Sequence, residues 1–112
     1  MTEALCLDDL DDVALDRLPF GVVRLSPNGV VERYNRTESE RAGIQRWRAL
    51  GRDFFRDVAP SATDLAAQVG ALAPGTRTRV FHTFRGFHRE DATVIDMSRC
   101  EEGRVYLCIH AA

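Results

Sequence analysis

Lysine is absent from this chain: all 15 basic residues are Arg. Set against 17 acidic residues they leave a formal net charge of -2. That balance argues against a dedicated nucleic-acid binder, which presents a basic face. The Arg bias reads first as composition and only then as chemistry. Cysteine is scarce as well. Cys6, Cys100 and Cys108 form no C-x-x-C pair and no metal-ligand spacing, and an odd count fits a reducing compartment. No apolar run is long enough to span a bilayer, and the acidic start is not a secretory signal. A cytoplasmic protein without membrane contact is expected. There is no internal repeat, no low-complexity tract and no Gly-x-Ser-x-Gly elbow of a serine hydrolase.

What remains has the composition of one globular domain. The 112 residues are 45% hydrophobic and 29% charged, enough apolar content for a modest core. Leu7, Leu10, Ala14 and Leu18 recur at helical spacing and stop at Pro19. "FGVVRL" and "VVERYN" flank the turn "SPNG" and read as a β-hairpin. Asn35 or Thr37 can cap the helix that follows, with Gly43 as its stop. A second helical segment runs from about Ala62 to Leu72 and ends before Pro74-Gly75. Three strands follow, at about 76–87, 92–100 and 104–110, with Arg89-Glu90-Asp91 and Glu101-Glu102-Gly103 as turns. Strand runs on either side of one helical block indicate an α+β fold with an antiparallel sheet.

Charge is unevenly placed. Glu3, Asp8, Asp9, Asp11, Asp12 and Asp16 crowd the start, and Arg33, Arg36, Arg41, Arg46, Arg48, Arg52 and Arg56 follow. Either the acidic leader docks on the basic segment or both are solvated, the commoner fate of charge runs.

At "ERYNRTES" and "GRDFFRDVAPS" the pattern becomes specific. The chain resembles the photoactive yellow protein branch of the PAS domains from about Leu18 to His110. "FGVVRLSPNGVVERYN" is similar to the first hairpin of that family, "GRDFFRDVAPS" to its chromophore-attachment segment and "VFHTFRGFH" to its third strand. The resemblance implies a PAS fold: a five-stranded antiparallel sheet with a helical block on one face and an N-terminal helix on the other. Residues 1–18 would be the amphipathic cap and 19–112 the PAS domain.

The family's site carries over residue by residue. Tyr34 matches its hydrogen-bonding tyrosine. Glu38 matches the buried glutamic acid that shares a proton with a bound phenol. Ser61 stands where the family has the cysteine that carries 4-hydroxycinnamic acid as a thioester. Ala42 and Ile44 fall near its supporting threonine and its arginine gate. A serine hydroxyl does not form such an ester without a dedicated base, so no covalent chromophore is expected, and Ser61 reads as a helix N-cap. By strand alternation Val80, His82, Phe84, Gly86 and His88 share one face, which in the family looks into the pocket. Thr93, Ile95 and Met97 would point the same way, as would Val105, Leu107 and Ile109.

The expected ligand-binding set is therefore Tyr34, Glu38, Ser61, His82, Phe84 and Met97. Its polar end is Tyr34 with Glu38; its apolar end is Phe84, Ile95, Met97 and Leu107. Tyr106, Cys108 and His110 turn to the other face, beside Phe81 and Phe87, where the leader is expected as cover. Trp47 is expected to anchor the helical block. The function expected is a sensing or regulatory domain that binds a small aromatic ligand non-covalently or a signalling partner, with homodimerisation. The alternatives are a ligand-free interaction module and a haem sensor ligated by His82 or His88. Glu38 has no partner motif that would make the chain an enzyme, and no metal or other cofactor is expected.

Overall fold

Two short β-rich runs meet at Ser26-Pro27-Asn28-Gly29, and the turn chemistry decides their pairing. In a computed structural model that describes residues 6–85 and 90–112, Ser26 Oγ accepts from the amides of Asn28 and Val30. Gly29 takes a φ of 87°, a left-handed value that suits glycine. β1 (Gly21–Leu25) and β2 (Val31–Tyr34) pair antiparallel across this turn. β3 (Arg77–Arg85), β4 (Glu90–Arg99) and β5 (Val105–Ala111) complete one five-stranded antiparallel sheet in the order β2-β1-β5-β4-β3. Glu90 and Asp91 belong to β4, paired with Arg85 and Phe84, rather than to the expected turn. Extended pairing satisfies their backbone groups; residues 86–89, with Arg89 of the expected turn, lie outside the described residues.

Strand alternation builds two apolar clusters, one on each sheet face. Val23, Leu25, Ile95, Met97, Leu107 and Ile109 face the helical block. That block comprises α2 (Arg36–Ala42), α3 (Arg46–Ala49), a π-helical turn (Phe54–Val58) and α4 (Thr63–Gly70). Val22, Tyr106 and Cys108 face the other way, where Leu15 of the leader closes over them with Leu7, Leu10, Leu18 and Phe20 at the margin. The sheet with helices on one face is the α+β arrangement the sequence implied.

The leader is less helical than its periodicity suggests. The helix α1 spans only Asp12–Asp16, because the Asp11 side chain accepts from the Ala14 amide and caps it there. Leu7 and Leu10 lie in the turn before it. A five-residue helix does not persist alone, so its docking is supplied from outside. Arg33 Nη1 and Nη2 donate to the carbonyls of Leu7 and Leu10 at 3.2 and 2.6 Å, and Nη2 also meets Asp12. Arg46 pairs with Asp16 at 2.5 Å. The acidic leader thus docks on the basic segment instead of lying solvated. It crosses β1 and β5 but not β3, which leaves Phe81 79% exposed; Phe87 lies outside the described residues. Trp47 does not anchor the block: it is 68% exposed with Arg48 against its ring. Among the described residues no helix is long and apolar enough to cross a membrane.

Asn35 ties these parts together. Its side chain is buried and fully used. Oδ1 accepts from Val22 N at 2.9 Å and from Glu38 N at 3.0 Å, capping α2. Nδ2 donates to Leu15 O at 2.8 Å and Phe20 O at 3.0 Å. Thr37, the other candidate cap, instead donates its hydroxyl to Leu18 O. Gly43, at a φ of 70°, ends α2 as expected. Asn35→Ala strands two donors and two acceptors in a dry site, and is expected to lower the unfolding free energy by about 3 kcal/mol, measured by urea unfolding. A loss below about 1 kcal/mol would mean that water replaces the amide without cost.

Candidate functional site

A cleft of about 470 Å³ opens between α2, the π-helical turn and the β3–β4 end of the sheet. Its position follows from local chemistry. Asp53 accepts from Arg56 N, and Ala59 N reaches back to Phe54 O, giving the widened turn of a π-helix. That turn sends Phe54 into the core and lays Val58, Ala59, Pro60 and Ser61 along the cleft wall. Asn35 starts α2 so that Glu38 and Arg41, three apart, share the cleft side of the helix.

Glu38 is 1% exposed. Arg41 grips it with two hydrogen bonds, Nε to Oε1 at 2.8 Å and Nη2 to Oε2 at 2.6 Å. The same guanidinium donates from Nη1 to Asp91 and lies 4.6 Å over the Phe84 ring, a cation–π contact. One cation is thus divided between two carboxylates. Burial pushes the Glu38 carboxyl above its ordinary range; Arg41 offsets part of that shift, and the nearby Asp91 carboxylate adds to it. Gly21 makes the close packing feasible: a Cβ there would sit 2.2 Å from Glu38 Oε1. Tyr34 is 3% exposed, and its hydroxyl finds no hydrogen-bond partner among the described residues. Burial, with Glu38 nearby, raises the Tyr34 pKa, so the group stays a neutral donor.

Of the residues singled out from sequence, Tyr34, Glu38, Ser61 and Phe84 line the cleft together. Ser61 is exposed and does not cap α4. Ala62 holds the cap position without a side-chain bond, because the Ala59–Ala62 turn carries Ser61 one residue short of it. Met97 does not reach the cleft. With Ile95 and Leu107 it is sealed in the core beside Leu65 and Val69, since α4 covers that part of the sheet. His82 packs edge-on against Phe84 at 4.5 Å and is not among the lining residues; burial holds its pKa below the ordinary value. His88 and Gly86 lie outside the described residues. Ala42 and Ile44 are apolar lining, and the cations of the lining are Arg41 and Arg85, of which Arg41 holds Glu38. Arg41 was missed as a site residue, although its position three beyond Glu38 is a helical pairing signal. Asp91 and Gly21 carried no such signal, as only the folded chain brings them there.

The residues 15–108 match the family model described as PAS fold, and the chain belongs to that family. Within it the chain is similar to photoactive yellow protein. It is 36% identical to that of Rhodothalassium salexigens over 52 residues, 46% of this chain and 42% of the relative. It is 43% identical to that of Rhodobacter capsulatus over 47 residues, 42% of this chain and 38% of the relative. The matched stretches thus span about two-fifths of these relatives. The crystal structure of the photoactive yellow protein domain from the sensor histidine kinase Ppr of Rhodospirillum centenum superposes with a TM-score of 0.77. That comparison is at 26% identity and covers 93% of this chain and 96% of the other.

With its folded-state pKa above the unfolded one, Glu38 holds its proton more tightly in the folded chain. Its contribution to stability is therefore complete below the ordinary carboxyl value of 4.5 and is lost as pH rises through the folded-state value. Glu38→Gln removes a titration of this sign. Urea unfolding of both proteins between about pH 4 and pH 8 should show wild type losing stability relative to the variant as pH rises. A relative gain would show that Arg41 outweighs burial.

Proposed function

We propose that this PAS-fold domain is a non-enzymatic sensor whose cleft takes a small aromatic ligand non-covalently and whose leader carries the signal to a partner. The observation that carries the reading is Tyr34: a buried hydroxyl, without a partner among the described residues, on a side chain that lines the cleft with Glu38 and Arg41. Leaving such a group unmatched costs about 1–3 kcal/mol, and a ligand oxygen would recover part of it. The apolar wall of Ile44, Phe54, Val58 and Phe84 suits a flat ring. Glu38, with its raised pKa, favours a hydroxyl over an anion beside it.

The route to the leader is short. Glu38 N shares Asn35 Oδ1 with Val22, and Asn35 Nδ2 holds the carbonyls of Leu15 and Phe20. A ligand that moves Glu38 moves the cap of α2 and, through it, the leader's docking. This supports a shift in leader packing as the output. Ser61, at the attachment position, offers an exposed hydroxyl, less nucleophilic than a thiol, which supports non-covalent binding.

A screen of small phenols by thermal shift and calorimetry is expected to find binders, with Tyr34→Phe about five- to tenfold weaker. Incubation with activated 4-hydroxycinnamic acid should leave the mass unchanged at Ser61. A screen without any binder would sink the ligand reading and leave an interaction module. A Soret band abolished by His82→Ala would replace it with haem.

A further inference from the structure

The leader also brings two thiols together that are far apart in sequence. Cys6 is exposed and Cys100, at the end of β4, is buried. Their sulfurs lie within 4.8 Å of each other and of an Asp8 carboxylate oxygen. We propose that Cys6 and Cys100 form a reversible disulfide that clamps the leader to the sheet. Bond formation requires the sulfurs to close to about 2.05 Å. Cys108 is buried on β5 under the leader and takes no part.

The exposure of the two groups sets the order of events. Cys6 meets the oxidant, a hydroperoxide. Its thiolate sulfur attacks one peroxide oxygen, the O–O bond breaks, and the other oxygen leaves as an alcohol or water after taking a proton. Cys6 is then a sulfenic acid. Cys100 Sγ attacks Cys6 Sγ, the S–O bond breaks, and the departing hydroxide takes the Cys100 proton as water. The two sulfurs together lose two electrons, which the peroxide gains. A thiol reductant reverses the bond. Burial, with Cys6 beside it, pushes the Cys100 thiol up to about 12, which argues against Cys100 as the thiol that meets the oxidant.

The surroundings favour a disulfide over a metal ion on the same three residues. Asp8 is already held by the Tyr106 hydroxyl at 2.5 Å and by Arg24 at 3.1 Å, with Arg104 at 3.9 Å. Two guanidinium groups at the carboxylate oppose a further cation. The bond would fix the leader's outer end, while Asn35 fixes its inner end at Leu15 and Phe20. The inference is independent of what the cleft binds.

The test uses the full chain, reduced, then treated with stoichiometric hydrogen peroxide and alkylated. Expected are the loss of two hydrogens in the intact mass, a cross-linked Cys6–Cys100 peptide, and a return to the starting mass with dithiothreitol. Hydrogen exchange across residues 7–18 should slow about tenfold on oxidation. Cys6→Ser, which alters only an exposed side chain, should abolish both effects. Oxidation of Cys6 to sulfinic acid with Cys100 still reduced, or covalent dimers through Cys6, would overturn the proposal. So would stoichiometric zinc that protects both thiols from peroxide, in favour of a metal site.

Discussion

Asn35 is the constraint on which the other parts of this molecule depend. A single amide holds the first strand, the leader and the first turn of α2 in one place, and all four of its hydrogen bonds are made. A buried amide with every partner supplied is rigid, because any displacement strands a polar group away from water. The cleft inherits that rigidity. Glu38 is placed by its own backbone bond to Asn35, and Arg41 is placed by Glu38. The leader inherits it too, since its short helix has no independent stability.

The electrostatics of the cleft rest on one shared guanidinium. Arg41 serves the buried Glu38 and the part-exposed Asp91 while lying over Phe84. Burial leaves Glu38 easier to protonate than an ordinary carboxyl, and Gly21 lets the strand pack closely against it. Tyr34 stands next to this arrangement as a donor without a partner among the described residues. The result is a cleft with one polar end and an apolar wall.

Much of this was legible before folding. Asn-Gly at the hairpin, the Gly43 stop and the sheet-face alternation follow from local rules, and the quoted segments pointed to the PAS fold. Tyr34 and Glu38 were legible because they sit at fixed spacing in one such segment. The failures share a cause. Ser61 looked like a cap because an acidic residue follows three on, but a turn that closes at Ala62 shifted the helix start. Met97 shares a face with cleft residues, yet a face is longer than a cleft, and α4 decides where one ends. Trp47, expected to anchor the helical block, lies exposed with Arg48 against its ring. The pairing of Cys6 with Cys100 and of Arg41 with Asp91 depends on contacts between distant segments, which no local pattern records.

The central claim is that the cleft and the leader communicate through Asn35. Amide exchange of residues 7–18, measured in wild type, Arg41→Met, Asn35→Ala and the double variant, tests it directly. Releasing Glu38 from Arg41 is expected to speed leader exchange in the wild-type background and to add nothing once Asn35 is gone. An Arg41→Met effect of equal size in both backgrounds would show that the cleft reaches the leader by another path, or that the two are independent.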